Sequence, residues 1–186
     1  MRFSGTDIPG VLVVDIEARE DERGAFARLQ CPDEFAAAGQ PFAPAQTSLS
    51  RNPRAGTLRG MHYQPAPYAE AKLVRTVRGR MFDVVVDLRP GSPTLRKWFG
   101  IELSAQNARA LFIPEGVAHG FLTLESDTDV LYQISPKFEA GHEAGVRWDD
   151  PAFAVAWPQA PALISQRDAT YPDYRRSDDL GDAAGC

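Results

Sequence analysis

Three histidines stand in this chain, His62, His119 and His142, and proton transfer is the chemistry their side chain suits best. An unperturbed pKa of about 6.5 keeps much of an imidazole neutral yet basic near neutral pH. His62 and His119 fall in apolar runs that read as strands. A lone strand histidine is ordinarily a satisfied structural residue, so its neighbours must decide its role. His62 sits in Leu58-Arg59-Gly60-Met61-His62-Tyr63-Gln64, and His119 follows Ile113-Pro114-Glu115-Gly116-Val117-Ala118 and precedes Gly120-Phe121. The two cysteines, Cys31 and Cys186, have no basic partner nearby in sequence and read as incidental, with no disulfide scaffold expected.

A net charge of -5 argues against non-specific nucleic-acid binding, which needs a basic face to displace counterions. It leaves room for a small polyanion, because a few clustered cations inside a pocket hold a diphosphate whatever the global charge. The chain has 186 residues, 44% apolar and 24% charged, which fits one soluble domain. That domain is expected over residues 1–176, with 177–186 a frayed acidic tail. No apolar run reaches membrane-spanning length, and the start of the chain lacks an apolar signal core, so no membrane partner and a cytoplasmic location are expected.

The elements that must carry the histidines are short. Fifteen Pro and fifteen Gly punctuate runs of Val, Ile, Leu, Phe and Thr, the rhythm of many strands joined by tight turns. Strands are expected at Val11–Ile16, Ala45–Ser50, Gly56–Gln64, Trp98–Leu103, Ala108–Ile113, His119–Glu125 and Thr128–Ile134, and a helical turn at Asp33–Ala38 capped by Asp33. Lys72–Leu88 reads as two apolar strands around Arg78-Gly79, a junction suited to a hairpin turn. In its second strand Phe82, Val84, Val86 and Leu88 alternate with Asp83, Val85 and Asp87, so two different faces are expected. Without helices long enough for parallel crossovers, this spacing favours an antiparallel barrel or sandwich with room for a ligand.

Several segments together carry a resemblance. The Arg59-Gly60-Met61-His62-Tyr63-Gln64 run, the His119 segment, and Lys72-Leu73-Val74-Arg75 leading through Gly79 to Phe82-Asp83-Val84 and Asp87-Leu88-Arg89 are three of them. Gly145-Val146-Arg147-Trp148-Asp149-Asp150-Pro151 and Ala156-Trp157-Pro158 complete the series. From about residue 8 to residue 173, in order and spacing, the chain resembles the dTDP-4-dehydrorhamnose 3,5-epimerase family. The resemblance implies a mostly β fold, a cupin-type antiparallel β-barrel (jelly roll) with a few short helices. It also implies a homodimer that exchanges strands, and no metal or other cofactor.

The implied reaction inverts carbons beside the C4 ketone of a dTDP-4-keto-6-deoxyhexose, by removing a proton and returning one to the opposite face. By similarity His62 is the base, Asp168 orients it, Tyr132 is the proton donor, and Lys72 meets charge on the C4 oxygen. The same likeness assigns nucleotide and sugar contacts to Arg23, Gln46, Ser48, Arg59, Lys72, His119, Phe138, Glu143 and Arg167. Strict alternation sets His62 and Arg59 on opposite faces, so both enter one pocket only with a bulge at Gly60 or a strand that begins after it.

Four positions depart from the family pattern. Arg28 replaces a glutamate, Ser48 an asparagine, Phe138 a tyrosine that stacks on the base, and Arg167 a lysine. Inversion at C3 alone and a CDP or GDP sugar therefore stand as alternatives. A metal-dependent cupin is a remoter one: the His119 segment fits half of its pattern, but His62-Tyr63-Gln64 lacks the paired His-x-His of the other half. A non-catalytic sugar-binding barrel would be expected to lose His62, Lys72, Tyr132 or Asp168 first, and all four are present.

Overall fold

The computed structural model describes residues 1–174. The acidic tail from 177 to 186, with Cys186, lies outside the described residues. The chain runs through β1 (Arg2–Gly5), β2 (Leu12–Asp15), β3 (Arg19–Asp21), β4 (Gly24–Phe26), α1 (Pro32–Ala37), β5 (Gln46–Asn52), β6 (Thr57–Tyr63) and β7 (Ala71–Arg78). It continues through β8 (Arg80–Asp87), β9 (Trp98–Ser104), β10 (Ala110–Ile113), β11 (Val117–Thr123), β12 (Thr128–Ser135), β13 (Ala144–Gly145), β14 (Leu163–Ile164) and α2 (Gln166–Ala169).

Two sheets face each other, ordered β1-β2-β10-β7-β12-β5 and β13-β6-β11-β8-β9, with β14 pairing β6 in parallel and a separate β3-β4 hairpin. They do not close into one hydrogen-bonded cylinder; the arrangement is a jelly roll, as the mostly β reading expects. The space between them is filled from both sides, by Val74, Leu111, Ile113 and Val130 of one sheet and Met81, Val85, Leu103 and Phe121 of the other. Each such side chain contributes about 1.5–3 kcal/mol when fully buried. Both outer faces are covered too. The Phe35 ring of α1 packs 5.0 Å from Phe3 and 5.4 Å from both Phe42 and Phe112. Over the other sheet the segment from Val146 to Tyr174 covers Met61, Val84 and Val86. The two faces expected of β8 are therefore real, with Val84 and Val86 outward and Val85 inward. No helix among the described residues is long and apolar enough to cross a membrane.

Three local expectations are corrected. β7 and β8 do not form a hairpin: β7 pairs β10 and β12, whereas β8 pairs β11 and β9. A one-residue junction is shorter than the two-residue loops that close hairpins. Gly79, at φ 74, instead turns the chain from one sheet into the other, and a Cβ there would stand 2.5 Å from Thr128 Oγ1. The cap of α1 is Cys31 and not Asp33, since Pro32 opens the helix and Asp33 falls in its first turn. Nor is Cys31 remote from basic groups in sequence, because Arg28 stands three residues before it, although its guanidinium pairs with Glu34. The polar β3-β4 hairpin and β1 carry no apolar run of strand length, which is why they escape a reading by periodicity.

Candidate active site

His62 lies near the end of β6, and its partner comes from far along the chain. Asp168 Oδ1 lies 2.8 Å from His62 Nε2, while Oδ2 accepts from the Gly60 N–H at 3.2 Å. Two devices place Asp168 there. The β14 strand pairs beside Thr57 and Leu58, and Ser165 Oγ then accepts from the Asp168 N–H to start α2. The aspartate is buried, which favours the neutral acid, but its bond to His62, the imidazole charge and the Gly60 and Ser165 groups outweigh this and hold its carboxyl below the usual range. An ionised Asp168 accepts only, so in the neutral imidazole Nε2 carries the hydrogen and His62 Nδ1 is left with the lone pair of a base.

Of the two ways to bring Arg59 and His62 into one pocket, a bulge at Gly60 is the one present. His119 pairs His62 and Phe121 pairs Arg59, so β6 carries one residue more than β11 between those pairs. Gly60, at φ 132, supplies the conformation. The extra residue turns Arg59 to the same side as His62, and its Nε donates to Asn52 Oδ1 at 2.8 Å.

A cavity of about 270 Å³ collects Arg59, His62, Lys72, His119, Tyr132, Phe138, Glu143 and Arg167, all of them expected from sequence. A neighbouring cleft of about 500 Å³ shares Arg59, His62 and Arg167 and reaches Asp168. Lys72, 10% exposed at its side chain, faces inward from β7 and lies 2.9 Å from Glu70. The Tyr132 ring stands edge-on to His119 at 5.9 Å. Burial, and after it the Asp83 charge, push the Tyr132 phenol well above its ordinary value against the opposing pull of Arg59, so it stays a proton carrier. His119 Nε2 is itself held at 2.6 Å by the buried Asp83. Arg167 Nη2 lies 3.5 Å from His62 Nε2.

Not every expected residue reaches the cavity. Gln46 and Ser48 bond each other at 3.1 Å on the inward side of β5, and it is Ser50, one inward position further, that lines the wall. Arg23 sits at the hairpin turn with its side chain 85% exposed, paired to Asp21. Arg28 pairs Glu34 at 2.6 Å, away from the cavity. Conversely, the wall includes Tyr63, Gln64, Glu70 and Ile134, which were not expected on it. Tyr63 and Gln64 stand beside His62 in the family motif, and Gln64 ties the end of β6 to the loop between β12 and β13 by donating to the Glu139 carbonyl at 2.6 Å. His142 lies outside this wall, stacked on Tyr68 at 3.7 Å between ring centres. Among the described residues no group of three or more His, Cys, Asp or Glu side chains is placed to hold a metal ion.

Comparison with known proteins follows the same lines. The family model described as dTDP-4-dehydrorhamnose 3,5-epimerase matches residues 5–176. A dTDP-4-dehydrorhamnose 3,5-epimerase of Sinorhizobium fredii is 38% identical over 173 residues, 92% of this chain and 89% of the relative. A dTDP-4-dehydrorhamnose 3-epimerase of Streptomyces niveus is 41% identical over 169 residues, 90% of this chain and 81% of the relative. The crystal structure of the 3,5-epimerase of Elizabethkingia anophelis superposes with a TM-score of 0.90 at 32% identity, covering 94% of this chain and 96% of that one. With a family model spanning nearly the whole chain and relatives of this identity, the chain belongs to the dTDP-4-dehydrorhamnose 3,5-epimerase family.

Proposed function

We propose that this isomerase acts in the cytoplasm on a dTDP-4-keto-6-deoxyhexose, inverting carbon beside the C4 ketone in deoxysugar synthesis. The observation that carries the reading is the His62–Asp168 pair opening on the same cavity as Lys72 and Tyr132. A hydrogen beside a ketone is acidic because the electron pair left behind delocalises onto the carbonyl oxygen. His62 Nδ1 takes that proton, the C–H pair becomes the C=C bond of an enolate, and the Lys72 ammonium meets the charge on O4. Tyr132 then gives its proton to the same carbon from the other face, and the enolate pair forms the new C–H bond. The imidazolium returns its proton to water and the phenolate regains one, so no proton is consumed overall.

Arg59, His119, Glu143 and Arg167 line the walls where the diphosphate and the rest of the sugar would lie, and Phe138 offers a ring for the base. We also read the chain as half of a homodimer. Among the described residues the β3-β4 hairpin pairs with no other strand and leaves Phe26 78% exposed, an apolar surface that a second copy would cover. Arg23, at the tip of that hairpin, would then reach the partner's cavity. Relatives of similar identity are named both 3,5-epimerase and 3-epimerase, and the count of deuterons taken up chooses between C3 alone and C3 with C5. Incubation with dTDP-4-keto-6-deoxyglucose in deuterated water tests the reading. Deuterium uptake at C3, or at C3 and C5, is expected, and no uptake by the folded protein overturns it.

A further inference from the structure

The carboxylate of Glu70 has no task in the proton transfers above. It stands in the segment just ahead of β7, with its side chain 4% exposed, and lines the cavity beside Lys72, His62 and Tyr132. Oε1 lies 2.9 Å from Lys72 Nζ. Oε2 is buried and accepts a hydrogen bond from no described residue. An orphaned carboxylate oxygen away from water is costly, and a buried ion pair is seldom kept for stability alone. The unfilled acceptor therefore points to a donor that arrives with the ligand.

Residues 70 and 72 project to the same side of an extended chain, which sets an ammonium donor and a carboxylate acceptor side by side. A ketone with a hydroxyl on the next carbon presents the complement, an acceptor beside a donor. In a 4-keto-6-deoxyhexose only one flank of the carbonyl has that pattern: C3 carries a hydroxyl, whereas C5 carries a methyl group and the ring oxygen.

We propose that Glu70 determines specificity by reading this α-hydroxyketone together with Lys72, which donates to O4 while Glu70 Oε2 accepts from the C3 hydroxyl. The inference rests on the 4-keto sugar reading and names the contact that selects it. The contact fixes which flank of the ketone faces which wall before any proton moves. It also changes when C3 inverts, because the hydroxyl then leaves the ring in a new direction.

The test compares the parent dTDP-4-keto-6-deoxyglucose with its 3-deoxy analogue, which keeps enolisable hydrogens on both sides of the ketone. In the wild-type protein kcat/KM for deuterium exchange should fall by about 100-fold on removing the hydroxyl, as sites built around a substrate hydroxyl reject the analogue lacking it. Glu70→Ala should treat the two sugars alike to within about threefold, and Glu70→Gln, which keeps an acceptor but no charge, should fall between. Affinity for dTDP alone should be unchanged in both variants, which shows that the pocket remains folded. Equal wild-type rates on the two sugars overturn the proposal without needing any variant, and so does a full penalty that persists in Glu70→Ala. If the wild-type protein exchanges no proton of the parent sugar, the epimerase reading falls by itself. Calorimetric binding of the two sugars then decides the Glu70 contact: tighter binding of the parent supports it, and equal or absent binding overturns it.

Discussion

Gly60 and Gly120 face each other across the β6–β11 pair so closely that neither has room for a side chain. A Cβ on Gly60 would overlap the Gly120 backbone and stand 2.9 Å from the His119 carbonyl, and one on Gly120 would stand 2.6 Å from Met61 Sδ and 2.9 Å from the Arg59 carbonyl. This contact shapes the bulge that turns Arg59 and His62 into one cavity. Gly60→Ala adds both the overlap and a side chain at φ 132, and is expected to cost about 3 kcal/mol or more. Thermal denaturation reads the loss. Activity should fall further than the unfolded fraction explains, because both groups are mispositioned.

His62→Ala and Tyr132→Phe should fail in different ways. Without the base no enolate forms, so His62→Ala loses deuterium exchange at every position, by a factor of about 10³ or more. Tyr132→Phe can still form the enolate but lacks the proton for the opposite face, so exchange continues with retention while inversion falls by about 10²-fold. NMR of the sugar protons in deuterated water separates wash-in from inversion. Equal loss of exchange in both folded variants would sink the division of roles.

Asp168 is held in its ionised form by His62, Gly60 and Ser165. Asp168→Asn keeps the shape but frees His62 to adopt the other tautomer, and kcat is expected to fall by about 10²- to 10³-fold with little change in KM. The carboxyl titrates below its ordinary range in the folded chain. Its contribution to stability is therefore complete above the unfolded value near 4 and is lost as pH falls through the lower folded value. Melting curves from pH 6 to pH 3 should show a shallower decline in Asp168→Asn than in the wild-type protein.

Phe138 lines the cavity with a ring but no hydroxyl. Stacking contributes about 0.5–1.5 kcal/mol beyond area, and an ordinary hydrogen bond about as much, so binding should survive with looser positioning. Inversion at C5 requires the sugar to be presented to the base again after C3, so it suffers more from small misplacements. C3 exchange should outpace C5 exchange, and Phe138→Tyr should narrow the gap. Mass spectrometry of the deuterated product checks this, and two deuterons taken up at indistinguishable rates would refute it.

The candidate residues were legible in the sequence through the family resemblance, which pointed to His62, Lys72, Tyr132 and Asp168, and alternation placed Lys72 beside Val74 and Thr76. The structure gathers His62, Lys72 and Tyr132 on one cavity and pairs Asp168 with His62. Alternation also required either a bulge at Gly60 or a strand that begins after it, and the β6–β11 register contains the bulge. Apolar periodicity of short runs was enough for an antiparallel barrel or sandwich, since burying one or both faces of a strand leaves a mark on every second residue, and the family resemblance narrowed this to the jelly roll.

Tertiary structure decided what local pattern does not encode. Arg78-Gly79 reads as a hairpin turn, yet β7 and β8 take their hydrogen bonds from different sheets, because strand partners are chosen by the whole sandwich and not by the nearest run. The helix-cap role passed from Asp33 to Cys31 once Pro32 occupied the first helical position. Ser50 displaced Ser48 on the wall, and Arg23 remained on a solvent-exposed hairpin. Glu70 offered no signal at all. A carboxylate next to Ala71 and Lys72 is an ordinary surface residue until strands distant in sequence close over it, remove its water and leave one oxygen without a donor.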